Sequence, residues 1–309
     1  MNTEADDLHA ALRRAQHPPA PIEPGFDAAQ VMAGLYGDGI IARHGAFSTA
    51  WADRLRLDIG RLFDEARSRP RGALPRGPQR WYVEVQPERL AGFVDIASHP
   101  WFVGVCTAVL GPHYRIVEVG FDSPFPGAAD QPWHRDFPLP EASRIGRRLD
   151  SLAFNLTAVD TGPAMGPLEV APGTQWDDWD GGAPGNRESG MFPPPGWFPR
   201  YGALAQRRMP QRGDISARSA LTVHRGTANR SDLARPVLVV GVDAADAGNA
   251  ARHDLQVTPG YLQSLPAMVR QHLHARVVQR LEDIDQAHAI ADLLRSRLEA
   301  PKDRTARRI

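Results

Sequence analysis

The chain has 309 residues, with 36 basic side chains against 36 acidic ones, 42% hydrophobic residues and a single cysteine. The neutral balance gives no global field for nucleic acid or an anionic membrane surface. Cys106 alone excludes an internal disulfide and a thiolate metal cluster. Lys302 is the only lysine, so the folded body has no lysine for a Schiff base or a phosphate loop.

The segment Met1–Pro21 is polar and has no apolar signal core, and no run of about 18 apolar residues follows it. The expectation is a cytoplasmic protein without a membrane span. Residues 1–24 read as a frayed helix and a proline-rich arm, residues 25–300 as one domain and residues 301–309 as a basic tail. Asp27 is positioned to cap a helix ending near Tyr36, and Gly39–Arg43 reads as a short strand. Ser48 caps a stronger helix to about Arg67, in which Trp51, Leu55, Ile59, Leu62 and Phe63 recur at helical spacing. Residues 69–79 are glycine- and proline-rich loop, and Glu88–Leu110 holds one or two helices, the second starting at Pro100.

The pattern then changes to strands. Tyr114–Asp122, Ser151–Asp160, Pro167–Ala171, Asp214–Val223 and Pro236–Val242 are short, rich in β-branched residues and mostly bounded by turns. Short strands between helical ends predict a sandwich or jelly roll with a helical buttress. Residues 173–211 carry Trp176, Trp179, Trp197 and several prolines, the texture of a lid insertion over an apolar ligand. Thr258–Ala300 reads as helical again.

Two stretches carry chemistry. In Trp133-His-Arg-Asp136, His134 and Asp136 are two apart, so in extended chain they project to one side. A second histidine, His224, lies far along the chain, and Arg235 follows it by eleven residues. Two histidines and a carboxylate make the facial triad that holds non-haem Fe(II) with open positions for other ligands. A lone His-x-Asp is common in surface turns, and a lone strand-edge arginine is usually ion-paired. The order of four blocks is what raises these residues above that background: Trp133–Asp136, Gly166–Thr174, Gly213-Asp214 leading to His224, and Asn229-x-Ser231 followed by Arg235.

In that order the chain resembles the phytanoyl-CoA dioxygenase family of Fe(II)/2-oxoglutarate oxygenases, from about residue 30 to the C-terminal helices. The resemblance implies a mainly β fold, a double-stranded β-helix (jelly roll, cupin-like) buttressed by N- and C-terminal helices. It implies His134, Asp136 and His224 as iron ligands and catalytic centre, with O₂ as the oxidant. Arg235 becomes the partner of the distal carboxylate of 2-oxoglutarate, a match for a planar bidentate cation. Asn155 and Thr157, on a strand near the expected cavity, are candidates to face the cosubstrate. A carboxylate at position 136, where halogenating relatives have a small residue, points to hydroxylation. Desaturation, epoxidation or ring formation on the same scaffold, and a non-catalytic metal-binding barrel, are the alternatives. The partner expected is a small-molecule substrate, a metabolite or natural-product intermediate, with no nucleic acid and no membrane. A homo-oligomer is compatible with the sequence but not specified by it. Two departures stand out: Thr174-Gln175 replaces the family's Ser-His, and Gly226 stands where a hydroxyl residue is common.

Overall fold

The structure is a computed structural model that describes residues 25–179 and 190–285. The expected N-terminal arm (1–24), the basic tail (301–309) and the part of the C-terminal helix beyond residue 285 lie outside these residues. The helical buttress forms as its caps dictate. Asp27 accepts a hydrogen bond from the Gln30 amide at 3.0 Å and opens α1, Ala28–Gly37. Ser48 Oγ accepts from the Trp51 amide at 3.2 Å and opens α2, Thr49–Arg67. Then come α3 (Phe93–Ala97) and α4 (Pro100–Leu110), with Pro100 at a position where a missing N–H costs nothing.

The strands in chain order are β1 (Ile40–Arg43), β2 (Leu74–Pro75), β3 (Arg80–Glu84), β4 (Arg115–Pro124), β5 (Ser151–Thr157) and β6 (Leu168–Val170). They continue with β7 (Gln206–Arg208), β8 (Ile215–Ser219), β9 (His224–Gly226), β10 (Val237–Asp243), β11 (Gln256–Val257) and β12 (Arg276–Val277). Seven form one antiparallel sheet in the order β1–β8–β5–β10–β4–β3–β2. A smaller antiparallel sheet, β7–β6–β9, is joined by the His134 segment through a bridge from His134 to His224.

Strand alternation divides the large sheet's residues between two environments. Leu152, Phe154, Leu156, Leu238, Val240 and Val242 belong to the hydrophobic core shared with α1–α4. Phe102 of α4 meets Phe154 with ring centroids 4.3 Å apart; burying one such ring stabilises by about 1.5–3 kcal/mol. Their neighbours Ala153, Asn155, Thr157, Val237, Val239 and Asp243 line a cavity.

Three expectations need correction. Strand β8 stops at Ser219, and His224 opens β9 instead of closing β8, because the Thr222 amide turns back onto the Ser219 carbonyl at 3.0 Å. The helical reading from Thr258 to Ala300 holds only in part: after α5 (Glu141–Gly146) and α6 (Phe198–Leu204), the described C-terminal helices are the short α7 (Pro259–Ser264) and α8 (Ala267–Arg270). Pro266 interrupts the first, and residues 272–274 then run extended against β4, where the Ile116 amide donates to the His272 carbonyl at 2.7 Å. The end of the 173–211 insertion is also regular: α6 leads into β7, which pairs with β6.

Candidate metal and cosubstrate site

The His134 segment and β9 pair through two amide–carbonyl bonds, His134 to His224 at 3.0 Å and the reverse at 2.8 Å. This sets the two imidazoles side by side, ring centroids 4.4 Å apart. Each ring is held by its Nδ1, which donates to a backbone carbonyl two residues back: Pro132 at 2.8 Å for His134 and Thr222 at 2.9 Å for His224. That bond fixes the tautomer and leaves each Nε2 as a bare lone pair facing the cavity. Burial pushes the His134 pKa down to about 4 and, together with the Arg218 and His134 charges, pushes that of His224 well below its ordinary value. Both rings are therefore neutral at neutral pH.

Asp136 completes the set. One ligand atom from each of His134, Asp136 and His224 lies within 4.8 Å of the others. Arg218, inward on β8, donates to Asp136 Oδ2 at 2.9 Å, while Oδ1 stands 3.4 Å from His224 Nε2. Burial alone would raise the Asp136 pKa, but Arg218, His224 and His134 outweigh it and hold the carboxyl down to about 2. Two neutral nitrogens and one carboxylate oxygen, with their other polar atoms engaged by the protein, fit a divalent iron that keeps open positions.

The three residues open onto a cavity of about 820 Å³ between the sheets. Arg235, two residues before β10, lines the same cavity. Its Nε donates to the Met165 carbonyl at 3.2 Å, and among the described residues its two Nη nitrogens have no hydrogen-bond partner. Burial and the neighbouring Arg80 push its pKa down to about 10, with Asp122 opposing. Asn155 lines the cavity with a buried Oδ1 that no described group satisfies. Thr157 lines it too, but its hydroxyl donates to the Val159 carbonyl at 2.8 Å.

Of the cavity arginines that escaped the sequence reading, Arg218 and Arg80 bear most directly on the site. Arg218 had a signal: a guanidinium within the apolar run Ile215–Leu221 needs an anion once the strand is buried. Arg80 had none, because β3 follows a glycine- and proline-rich loop and has no clear pattern. Its Nη1 donates to Asp122 at 2.9 Å and its Nη2 to the Thr227 carbonyl at 2.9 Å. A Cβ on Gly226 would stand 2.3 Å from Arg80 Nη1. The glycine departure is thus explained by space: Arg80 occupies the volume a side chain at 226 would need.

The other motif residues shape the frame. Gly213 has φ +92° and no room for a Cβ against the Phe47 carbonyl, while Asp214 accepts from the Gly45 and Gln211 amides, each at 2.9 Å. Thr174 Oγ1 accepts from the Val223 amide at 3.0 Å, bracing the residue before His224. Gln175 donates to the Tyr36 and Gly37 carbonyls at the end of α1, at 2.8 and 3.1 Å. Asn229 donates to the Pro124 and Leu233 carbonyls, at 3.0 and 2.8 Å, and folds the loop that returns Arg235 to the cavity. Trp133 and Phe137 pack in two small apolar clusters beside His134 and Asp136.

No curated protein gives a significant sequence match. Solved structures share the fold at low identity. The non-heme alpha ketoglutarate dependent carbocyclase SnoK from nogalamycin biosynthesis matches at TM-score 0.56 and 17% identity, over 70% of this chain and 84% of that one. EctD from S. alaskensis, solved with bound Fe, matches at TM-score 0.56 and 16% identity, over 74% and 82%. AviO1 from Streptomyces viridochromogenes Tue57 matches at TM-score 0.52 and 18% identity, over 73% and 99%. The sequence profile described as Phytanoyl-CoA dioxygenase (PhyH) matches residues 35–237, well over half of the chain. By that match the chain belongs to the phytanoyl-CoA dioxygenase family, and with it to the iron- and 2-oxoglutarate-dependent oxygenases.

Proposed function

We propose that the protein hydroxylates a C–H bond of a small organic molecule, holding Fe(II) through His134, Asp136 and His224 and 2-oxoglutarate through Arg235. The observation that carries this reading is one cavity holding both the three converging ligand atoms and a buried arginine whose Nη nitrogens have no hydrogen-bond partner among the described residues. When bound, the iron supplies O₂ activation coupled to decarboxylation of the cosubstrate, giving succinate and CO₂. The chain's own residues do the positioning. Arg218 occupies one oxygen of Asp136 and leaves the other for the metal. Arg235 and Arg80, with Asp122 between them in charge, put two guanidiniums against one carboxylate at one end of the cavity. That excess of one positive charge suits the far carboxylate of a dicarboxylic acid. Asn155 is a further donor or acceptor beside it; Thr157, its hydroxyl already used, contributes surface. The carboxylate at position 136 favours hydroxylation over halogenation.

Fe(II)-dependent conversion of 2-oxoglutarate to succinate tests the proposal. Wild-type protein should form succinate, and His134→Ala should fall to background while remaining folded by circular dichroism. Arg235→Met should raise the cosubstrate KM at least tenfold, with metal affinity within twofold of wild type. No metal-dependent succinate from wild type would sink the reading, and unchanged cosubstrate kinetics in Arg235→Met would remove that residue's role.

A further inference from the structure

Arg76 is a cavity arginine with no task in holding either the metal or the cosubstrate. It follows β2, and its amide donates to the Arg80 carbonyl at 2.9 Å across the turn into β3. The guanidinium stands over the Tyr82 ring, Cζ 3.9 Å from the centroid. That ring is itself fixed: Tyr82 packs against Leu74, pairs with Asp122 of β4 and donates its hydroxyl to Glu118 Oε1. The turn and the ring together hold the half-buried Arg76 side chain on the cavity wall.

What the guanidinium lacks is an anion. Its Nε is buried without a hydrogen-bond partner. Among the described residues neither Nη nitrogen has a partner, and no carboxylate comes within ion-pair distance. The acidic side chains on the neighbouring wall have partners of their own. Asp122 takes Arg80 at 2.9 Å and Asp136 takes Arg218 at 2.9 Å. Glu118 holds the Tyr82 hydroxyl on Oε1, and its Oε2 lies 3.9 Å from His253 Nε2. A guanidinium over a ring face keeps its N–H groups for an acceptor, and a planar carboxylate can meet two of them at once.

The register brings this arginine to the level of the reacting centre. The Tyr82 side chain beneath it reaches Gly120, which has no room for a Cβ against the hydroxyl. Gly120, Val239, Asn155 and Ser216 form one row across β4, β10, β5 and β8. The last three of these line the cavity onto which His134, Asp136 and His224 open. Arg76 is also near enough to His134 for its charge to help depress that imidazole's pKa. The cosubstrate's two carboxylates already have Arg235 and the metal as partners in the proposed function.

We propose that Arg76 anchors a carboxylate of the substrate beside the metal ligands, so that the molecule oxidised is a small carboxylic acid. One guanidinium suits a monoanion. A phosphate dianion would draw on a second cation, and neighbouring Arg80 is engaged by Asp122 and the Thr227 carbonyl. The proposal rests on the oxygenase reading for the statement that this acid is the substrate.

Three probes with a common frame and different charge test it: 3-phenylpropionate, 3-phenylpropionamide and 3-phenylpropylammonium. Each is titrated calorimetrically into the full chain loaded with Mn(II) and saturating 2-oxoglutarate, which keeps Arg235 occupied. The carboxylate should bind at least tenfold more tightly than the amide or the ammonium. Arg76→Met should weaken the carboxylate at least tenfold and leave the amide within twofold; if that variant does not fold, Arg76→Gln decides instead. Undetectable carboxylate binding to wild type overturns the proposal, as does equal or tighter binding of the amide or ammonium, or a carboxylate affinity unchanged in the variant. So does a tenfold loss of 2-oxoglutarate affinity in Arg76→Met, which would give the arginine to the cosubstrate. Titrating 2-oxoglutarate into Mn(II)-loaded wild type separates the two readings. No binding there sinks the oxygenase assignment, whereas the carboxylate preference and its loss in Arg76→Met are scored on the three probes.

Discussion

The two oxygens of Asp136 have different tasks, and Arg218 enforces the division. With Oδ2 engaged at 2.9 Å, only Oδ1 is free to meet a metal. Arg218→Met removes the donor, frees the carboxylate to rotate and leaves it partly buried without its cation. Metal affinity measured by calorimetry with Mn(II) should fall about 10–100-fold, the usual loss when a group orienting a ligand is removed; an unchanged affinity would reduce Arg218 to a packing residue. The protonation states make a second prediction. His134, with its pKa near 4, His224, lower than usual, and Asp136, near 2, are all deprotonated at pH 7. Metal binding at pH 7 should therefore release almost no protons, measured as calorimetric enthalpies that do not vary with buffer ionisation enthalpy. The sign for stability follows from the same shifts. Below pH 6.5 the unfolded His134 takes up a proton that the folded one refuses until about pH 4, and His224 acts in the same direction, so the metal-free protein should lose stability as pH falls through that window. Asp136 acts in the same direction at lower pH, its contribution present above about 3.8 and lost as pH falls towards 2.

At the level of elements, β3 shows what the sequence could and could not disclose. The helix starts at Ala28, Thr49 and Pro100 were legible because a side-chain cap or a proline marks each. Strands β5 and β10 were legible as β-branched, mostly apolar segments. Strand β9 was not, because its three residues are extended mainly through pairing with β6 and with the His134 segment, the latter a contact between chain positions 90 apart. The C-terminal segment misled for a related reason: its helical spacing was real, but Pro266 broke it and pairing with β4 took over the following residues. The three residues proposed to hold the metal stand out by residue type and order, whereas Arg80 became visible only once β3 lay beside β4. Gly226→Ser tests that packing. Its Cβ has no space beside the Arg80 guanidinium, which Asp122 and the Thr227 carbonyl hold in place. Overpacking of this kind costs about 1–3 kcal/mol, and displacing Arg80 should raise the 2-oxoglutarate KM several-fold. Adding Arg80→Met should recover stability without recovering cosubstrate affinity; recovery of both would show that Arg80 does not assist the cosubstrate. On the opposite face of the large sheet, Phe154→Ala should cost about 3–5 kcal/mol in denaturant unfolding, since it empties the contact between β5 and α4.

Across the whole molecule, the two sheets contribute different halves of one site. The proposed metal ligands lie on the small-sheet side, on β9 and the segment bridged to it, whereas Arg235 adjoins the large sheet at β10 and Arg218 belongs to it at β8. A metal alone therefore fastens the small-sheet side to itself and, through Asp136, to Arg218. A cosubstrate reaching from the metal to Arg235 ties the two sheets directly. Ligand binding to the folded state at about a hundredfold excess over Kd stabilises by about 2.7 kcal/mol. For a domain of this size that corresponds to a Tm increase of roughly 5–10 °C. Thermal unfolding should thus show two increments in wild type, one for Mn(II) and a further one when 2-oxoglutarate is added. Arg235→Met should keep the first and lose most of the second, because the metal ligands are untouched while the tie to β10 is gone. Equal second increments in wild type and Arg235→Met would mean that the cosubstrate is held from the small-sheet side alone, and the division of labour between the sheets would be wrong.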